Sequence, residues 1–384
     1  MIGTRKTYFP GLHALRFFAA TFVIFHHLEQ YKSWAGHANV WGANVIDALG
    51  HQPVSFFFVL SGFLITYLLL VENEKTGQIN IGKFYWRRIL RIWPLYFVIV
   101  ALALFVVPLF GSFAFENFRN PLHATTAIVC LLLFLPNLLR LGFPNLLGAN
   151  QLWSVGIEEQ FYLFWPLLVK RFIKNIIPFL ILFIVIKSMI HLGLVIASRE
   201  YENVRLLQII QLYKLFPVEQ MAIGGLGAAF LFHEKVKWVR LMTTPLAGVF
   251  ALTISILIGV MGWHHFLMSY LQGIMFCILI FQVIHHKVIY QILEKPWLTH
   301  LGNISYSIYM WHALIIAINL SIVELVGLEM DVLGNVILYI STVGMTLGIS
   351  HLSFVYLEKP FLKLKEISPK TLLLKINLRK ESFS

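Results

Sequence analysis

Apolar runs separated by short polar links set the pattern of this chain. They fall at roughly 12–30, 50–71, 90–110, 124–143, 157–171, 175–197, 215–233, 241–262, 265–285, 303–326 and 333–357. A single helical pass of a bilayer needs about 20 apolar residues. Backbone polar groups in lipid must be satisfied within their own segment, so such runs predict helices. The basic residues gather in the links: Arg5 and Lys6, the stretch 72–91, Lys170 with Arg171 and Lys174, Lys235 to Arg240, Lys287 and Lys295, and Lys359 onward. Short basic links belong on the cytoplasmic side. All of them can lie there only if 124–143 enters and leaves by the same outer face. Its interruptions, Pro136, Asn137, Pro144 and Asn145, suit broken backbone held inside protein. The expected fold class is therefore all-α: a polytopic membrane helical bundle of about ten transmembrane helices plus a re-entrant or interfacial segment, both termini cytoplasmic. Eleven full spans would invert the second half. Residues 1–366 read as one membrane domain and 367–384 as a basic cytoplasmic tail that suits anionic lipid.

Composition sharpens the class. Of 384 residues, 58% are hydrophobic and 12% charged, against about 25% charged in a soluble domain. A net charge of +12 would otherwise suggest nucleic acid, but the positive-inside pattern accounts for it, so no nucleic-acid partner is expected. Cys130 and Cys277 both lie in apolar runs, which indicates no disulfide framework. The N-terminal run carries Arg16 and two histidines and no small-x-small cleavage site follows, so it reads as an uncleaved first span.

That first run, Leu12 to Glu29, holds the candidate chemistry. Arg16 and His27 are eleven positions apart, three turns plus about 20°, so they share one stripe of a helix at roughly 16 Å separation. His26 points well away from it. Ionisable residues inside a span are costly and mark function by default, although snorkelling of Arg16 and an interfacial His27 would explain either residue alone. Four further polar groups interrupt the spans. Ser61 and Gly62 allow close helix approach. Arg87, Arg88 and Arg91 either set topology or make a fork-rich anion site. In Gln151 to Pro166, Glu158 and Glu159 either favour a helix N-terminus or place a carboxylate at about the depth of His27, where it would hold that ring's tautomer. Ser305, Tyr309 and His312 share one helical face, where His312 could equally bond a neighbouring helix. No Cys/His/Asp spacing suits zinc and no glycine-rich phosphate loop follows a strand, so no metal is expected.

These residues together are familiar. Arg16 with ten residues before His27, FFFVLSGFLI, FYWRRILRIWP, QLWSVGIEEQFYLFWP, LGNISYSIYMWH and YLEKPF occur in order from Thr7 to about Leu364. The chain resembles the acyltransferase 3 family of integral membrane acyltransferases. The resemblance implies transfer of an acyl group, mostly acetyl, from cytoplasmic acyl-CoA (acetyl-CoA) to a hydroxyl of an extracytoplasmic carbohydrate or lipid-linked glycan, in the bacterial cytoplasmic (inner) membrane. It implies His27 and Glu158 as the catalytic pair, and Arg16 with Arg87, Arg88 and Arg91 as the donor-binding cations. Trp153, Ser154, Tyr162, Tyr309 and His312 are the candidate substrate contacts. In the expected scheme His27 is general base, Glu158 orients its ring, and a covalent acyl-histidine is the other available chemistry. The rival from another class is a multi-pass transporter or exporter of a small acylated or anionic solute. Transporters commonly show paired repeats with broken helices in both halves, and no such pairing is visible.

Overall fold

The structure, a computed structural model, describes residues 8–106, 121–143, 148–201, 204–263 and 266–366. Pro144, Asn145 and the tail from 367 onward lie outside the described residues. Among the described residues the chain is helical and forms no strand. The helices are α1 (Leu12–Trp34), α2 (Asn44–Thr76), α3 (Ile81–Ala101), α4 (Pro121–Leu132), α5 (Leu152–Phe172), α6 (Ile176–Tyr201), α7 (Val204–Lys214), α8 (Val218–Phe232), α9 (Val236–Met242), α10 (Pro245–Val260), α11 (Phe266–His285), α12 (Lys287–Leu293), α13 (Pro296–Asn303), α14 (Ser305–Leu325), α15 (Val332–Ser353) and α16 (Lys359–Lys363).

α2 is the axis of the bundle. Small residues let neighbouring backbones touch it, as close packing between spans requires. A Cβ on Gly62 would fall 1.9 Å from the Met221 carbonyl oxygen of α8, and one on Gly224 of α8 would fall 1.9 Å from that of Val59. On the other side of α2, Gly50 abuts the His26 ring of α1, where a Cβ would come within 2.5 Å of it. Gly302 lies against the His13 carbonyl in the same way, so α13 packs on the start of α1. One apolar core joins α2, α3, α5, α8 and α11; a second joins α1, α14 and α15 through Ile24, Leu28, Ile308, Ile316 and Leu338. α6 instead exposes Ile181, Leu182, Val185, Ile186, Met189 and Ile190, the outward apolar face of a helix in lipid.

Six segments are long and apolar enough to cross a membrane, or seven if Leu206–Lys214 and Val218–Phe232, bent by 41°, form one span. This is an integral membrane protein, but the count falls short of the ten expected from hydropathy. The difference has three physical sources. α1 is 23 residues long, yet Arg16, the histidines and Glu29 dilute its apolar character. α10 has only 16 residues. The segment Leu152–Glu200 passes as one helix of 49 residues but doubles back at Ile173–Asn175. The rings of Trp165 and Phe183 lie 6.4 Å apart, whereas a continuous helix would separate those positions by about 27 Å.

The interrupted segment breaks next to Pro136 and Asn137. α4 ends at Leu132, the chain turns at Phe134, whose φ is 57°, and it resumes as a 3₁₀ turn, Pro136–Arg140. α5 holds the break. Gln160 Nε2 donates to the Phe134 carbonyl at 2.7 Å and to Asn137 Oδ1 at 2.8 Å. Gly156 leaves no room for a side chain against Pro136, where a Cβ would fall 2.6 Å from Cδ.

Candidate active site

α1 carries one functional group at each end, and the neighbouring helices supply a different set of partners to each. At the Arg16 end, α3 brings Arg88 and Arg91, three positions apart and hence on one face. Arg87 is exposed on another face and does not join them. Arg16, Arg88 and Arg91 line a cavity of about 170 Å³ with Ser61, Glu158 and Tyr162. The guanidinium of Arg88 stands over the rings of Phe84 and Tyr162 at 5.5 and 5.3 Å. Among the described residues none of the three arginines has a carboxylate at ion-pair distance. The buried Nε atoms of Arg16 and Arg88 have no hydrogen-bond partner. Three arginines share the cavity with one carboxylate, Glu158, and an excess of buried positive charge is costly, so this end of the cavity suits an anion.

Glu158 lies at this end rather than against His27. Its Oε2 accepts from Tyr162 Oη at 2.7 Å and its Oε1 from Ser61 Oγ at 3.2 Å. It makes no bond to His27. The reason is register: Glu158 lies six residues into α5, about 9 Å below the helix start, which carries it past the depth of His27. Glu159 turns away and accepts from Trp93 Nε1 at 2.9 Å.

One turn before Glu158, Ser154 meets Tyr309 of α14 at the other end of the same cavity. The two hydroxyls are 2.7 Å apart, and both reach the Gln151 carbonyl, at 3.2 and 3.3 Å. Ser305 lines the cavity too, its buried Oγ without a partner. Trp153 does not line it; its ring stacks under the Arg140 guanidinium at 4.4 Å and against Phe58 at 6.3 Å.

Beyond Tyr309 stands a pair of histidines. His312 is fully buried, and its Nδ1 lies 2.6 Å from the Tyr309 carbonyl. A carbonyl only accepts, so this Nδ1 carries the proton and Nε2 keeps its lone pair. That Nε2 is 3.3 Å from His27 Nδ1, which also lies 2.9 Å from the Val23 carbonyl. Both neighbours accept, so His27 is protonated on Nδ1 and presents a bare Nε2. His27 is only partly buried, and its Nε2 has no hydrogen-bond partner among the described residues. His26 does something else: its Nδ1 bonds the Ile46 carbonyl at 2.8 Å and its ring packs on Trp41 at 4.9 Å.

Sequence reasoning named Arg16, Arg88, Arg91, Ser154, Tyr162 and Tyr309, which the structure brings around one cavity, and paired His27 with Glu158, where the structure places His27 beside His312. It missed that His312 is the partner of His27 rather than a group lining the cavity, because the pairing crosses from α14 to α1. It also missed two buried carboxylates. Glu29 accepts from Lys32, Tyr339 and the Val40 amide at 2.7, 2.5 and 2.6 Å. Glu358, inside the YLEKPF stretch, accepts from Ser307 and Ser353 at 2.5 and 3.2 Å. An acidic residue in an apolar run was the available signal for each.

The chain matches the acyltransferase 3 family, described as an acyltransferase domain, over residues 9–354. It is 28% identical over 389 residues to the peptidoglycan O-acetyltransferase OatA of Listeria monocytogenes, covering 93% of this chain and 56% of that protein. It is 26% identical over 392 residues to SACOL0978 of Staphylococcus aureus (strain COL), provisionally named an O-acetyltransferase, covering 94% of this chain and 58% of that one. A 193-residue stretch, 49% of this chain and 29% of the relative, is 32% identical to the O-acetyltransferase OatA of S. aureus (strain NCTC 8325 / PS 47). The chain thus spans little more than half the length of the curated relatives it matches along most of its length. No solved structure matches it. A match over residues 9–354, nearly the whole described bundle, makes this chain a member of the acyltransferase 3 family.

Proposed function

We propose that the chain is a membrane O-acyltransferase that moves an acyl group, acetyl by the names of its relatives, from acyl-CoA to a hydroxyl of a carbohydrate acceptor. The observation that carries this reading is the cavity that begins among three unpaired arginines and ends at Ser154 and Tyr309, beside a histidine with a free Nε2. Arg16, Arg88 and Arg91 would hold the donor's phosphates, where Arg forks fit best. The unpartnered Nε atoms fit that role. Acyl-CoA supplies an activated thioester. His27 Nε2 takes the proton of the acceptor hydroxyl as its oxygen attacks the thioester carbon. The carbon–sulfur bond breaks, and the imidazolium returns the proton to the departing thiolate. General-base help of this kind contributes about 10²–10⁴-fold. His312 fixes the tautomer and keeps accepting the hydrogen bond from Nδ1–H while His27 is charged, the part assigned to a carboxylate in Ser-His-Asp systems. Ser154 and Tyr309 hold hydroxyls where charge develops on the thioester oxygen.

The sidedness belongs to the same proposal. Counting α1, α2, α3, α5, α6, α8, α10, α11, α14 and α15 as crossings gives about ten, with α4 and its 3₁₀ turn as the re-entrant piece and both termini cytoplasmic. The Arg end then faces the cytoplasm and the His end the outer side of the bacterial cytoplasmic membrane. The transporter reading has no observation in its favour. The test is transfer of labelled acetyl from acetyl-CoA to glycan by protein in liposomes. His27→Ala should abolish transfer and retain acyl-CoA binding, whereas His26→Ala should lose stability rather than chemistry. Full transfer by His27→Ala, or acetyl-CoA uptake without transfer, would refute the proposal.

A further inference from the structure

A second polar cavity, of about 290 Å³, opens at the His27 end of the bundle on the far side of α2. Gln52, Lys187, Glu219, Trp263, Tyr270 and Gln272 line it. Its buried charges, Lys187 and Glu219, are matched to each other, and the further cation at its wall, Lys214, is exposed. Lys187 Nζ is 3.1 Å from Glu219 Oε2 and donates to the Phe216 carbonyl at 2.6 Å. It therefore makes no demand for an anion, unlike the arginine cavity. Its amides are not all matched. Gln272 is 4% exposed, its Nε2 donates to Ser255 Oγ at 3.0 Å, and its buried Oε1 has no partner. An unmatched buried amide oxygen costs about as much as a lost hydrogen bond unless something donates to it. Trp263 stands half-exposed at the mouth, an apolar face with a polar edge.

We propose that this cavity is a subsite for a neutral sugar unit of the acceptor, next to the unit being acylated; the proposal rests on the function given above. Sugar hydroxyls both donate and accept, which suits Gln52 and Gln272, and the C–H face of a pyranose suits an aromatic ring. The size, about 290 Å³, lies just below the range of small-molecule sites, about 300–1,000 Å³, and fits a single monosaccharide unit. The position fits as well. His51 lines the cavity, and its ring is 6.1 Å from that of His26, which is 4.9 Å from that of His27. A glycan chain seated here thus brings a neighbouring unit to the base. Ala48, Gln52 and Gly259 also line an apolar groove of about 580 Å³ along α1, α2, α10 and α11. The sugar could therefore arrive on a lipid or on a free chain.

The test uses the full chain in nanodiscs against a panel of bacterial surface oligosaccharides, each free and coupled to a lipid anchor. Wild-type protein should retain one or more of them. Gln272→Met and Trp263→Ala should each weaken retention about ten-fold and leave acyl-CoA affinity unchanged, which also reports an intact fold. Stronger retention of lipid-coupled glycans assigns entry from the membrane, and equal retention assigns entry from solvent; the loss with Gln272→Met is expected in both. No retention by wild type, or equal retention by Gln272→Met, overturns the subsite even if acyl transfer proceeds. Gln272-dependent retention by protein that transfers no acyl group would keep the subsite and overturn the function proposed for it.

Discussion

Replacing His312 tests the base most directly. His312→Leu keeps the approximate volume of a fully buried side chain and removes the acceptor 3.3 Å from His27 Nδ1. In the resting state this is one neutral hydrogen bond, worth about 0.5–1.5 kcal/mol. When His27 holds a proton on both nitrogens the bond becomes charge-assisted, worth about 1.5–3 kcal/mol. That larger figure bears on kcat and corresponds to a loss of about 10- to 150-fold. The Val23 carbonyl still accepts from His27 at 2.9 Å, so the loss should stop short of that for His27→Ala. The KM for acyl-CoA should not move, because the arginines lie at the other end of the cavity. His312→Gln restores an acceptor and should recover part of kcat. The assay is acetyl transfer in liposomes with kcat and both KM values determined. An unchanged kcat with a raised acceptor KM would make His312 a substrate contact and refute its positioning role.

Arg88→Ala and Arg91→Ala should each raise the acyl-CoA KM by the equivalent of about 1.5–3 kcal/mol, while exposed Arg87→Ala stays near wild type; equal effects at all three would indicate a topological role only. Glu158→Gln and His312→Gln should be additive in kcat/KM within about 0.5 kcal/mol, since the two sit with different partners; a larger coupling would put Glu158 back beside His27. Gly62→Ala drives a methyl against the Met221 carbonyl and should destabilise the fold by about 1–3 kcal/mol or more, read as a lowered Tm in detergent. A cysteine at exposed Glu329 should react with an impermeant maleimide from outside cells and one at exposed Lys75 should not; the reverse result would overturn the proposed orientation.

Periodicity and charge made the helices and the Arg16–His27 stripe legible, because both depend only on positions along one helix. The break in 124–143 was legible for the same reason: Pro136 and Asn137 interrupt the backbone locally. Contacts between helices were not. The depth of Glu158 depends on where α5 starts relative to α1, and a six-residue offset moved it from the histidine to the arginines. The face shared by Ser305, Tyr309 and His312 was readable, but its rotation toward α1 was not. The turn at Ile173–Asn175 was legible too, because Lys170, Arg171 and Lys174 separate the apolar runs 157–171 and 175–197.

The bond from His27 Nδ1 to the Val23 carbonyl changes what it takes to place a base within a bilayer. A histidine steered by aspartate or glutamate requires a permanent anion in a medium where each ion loses several kcal/mol of hydration. For the proposed base, the steering comes from the helix that carries His27, through the Val23 carbonyl one turn back, and from the imidazole of His312. Every helical residue has such a carbonyl beneath it. At rest this end of the apparatus can stay electrically neutral, and charge need arise only while a proton is in transit. Ionic groups are then needed only at the opposite end, where phosphates would bring the counter-charge with them.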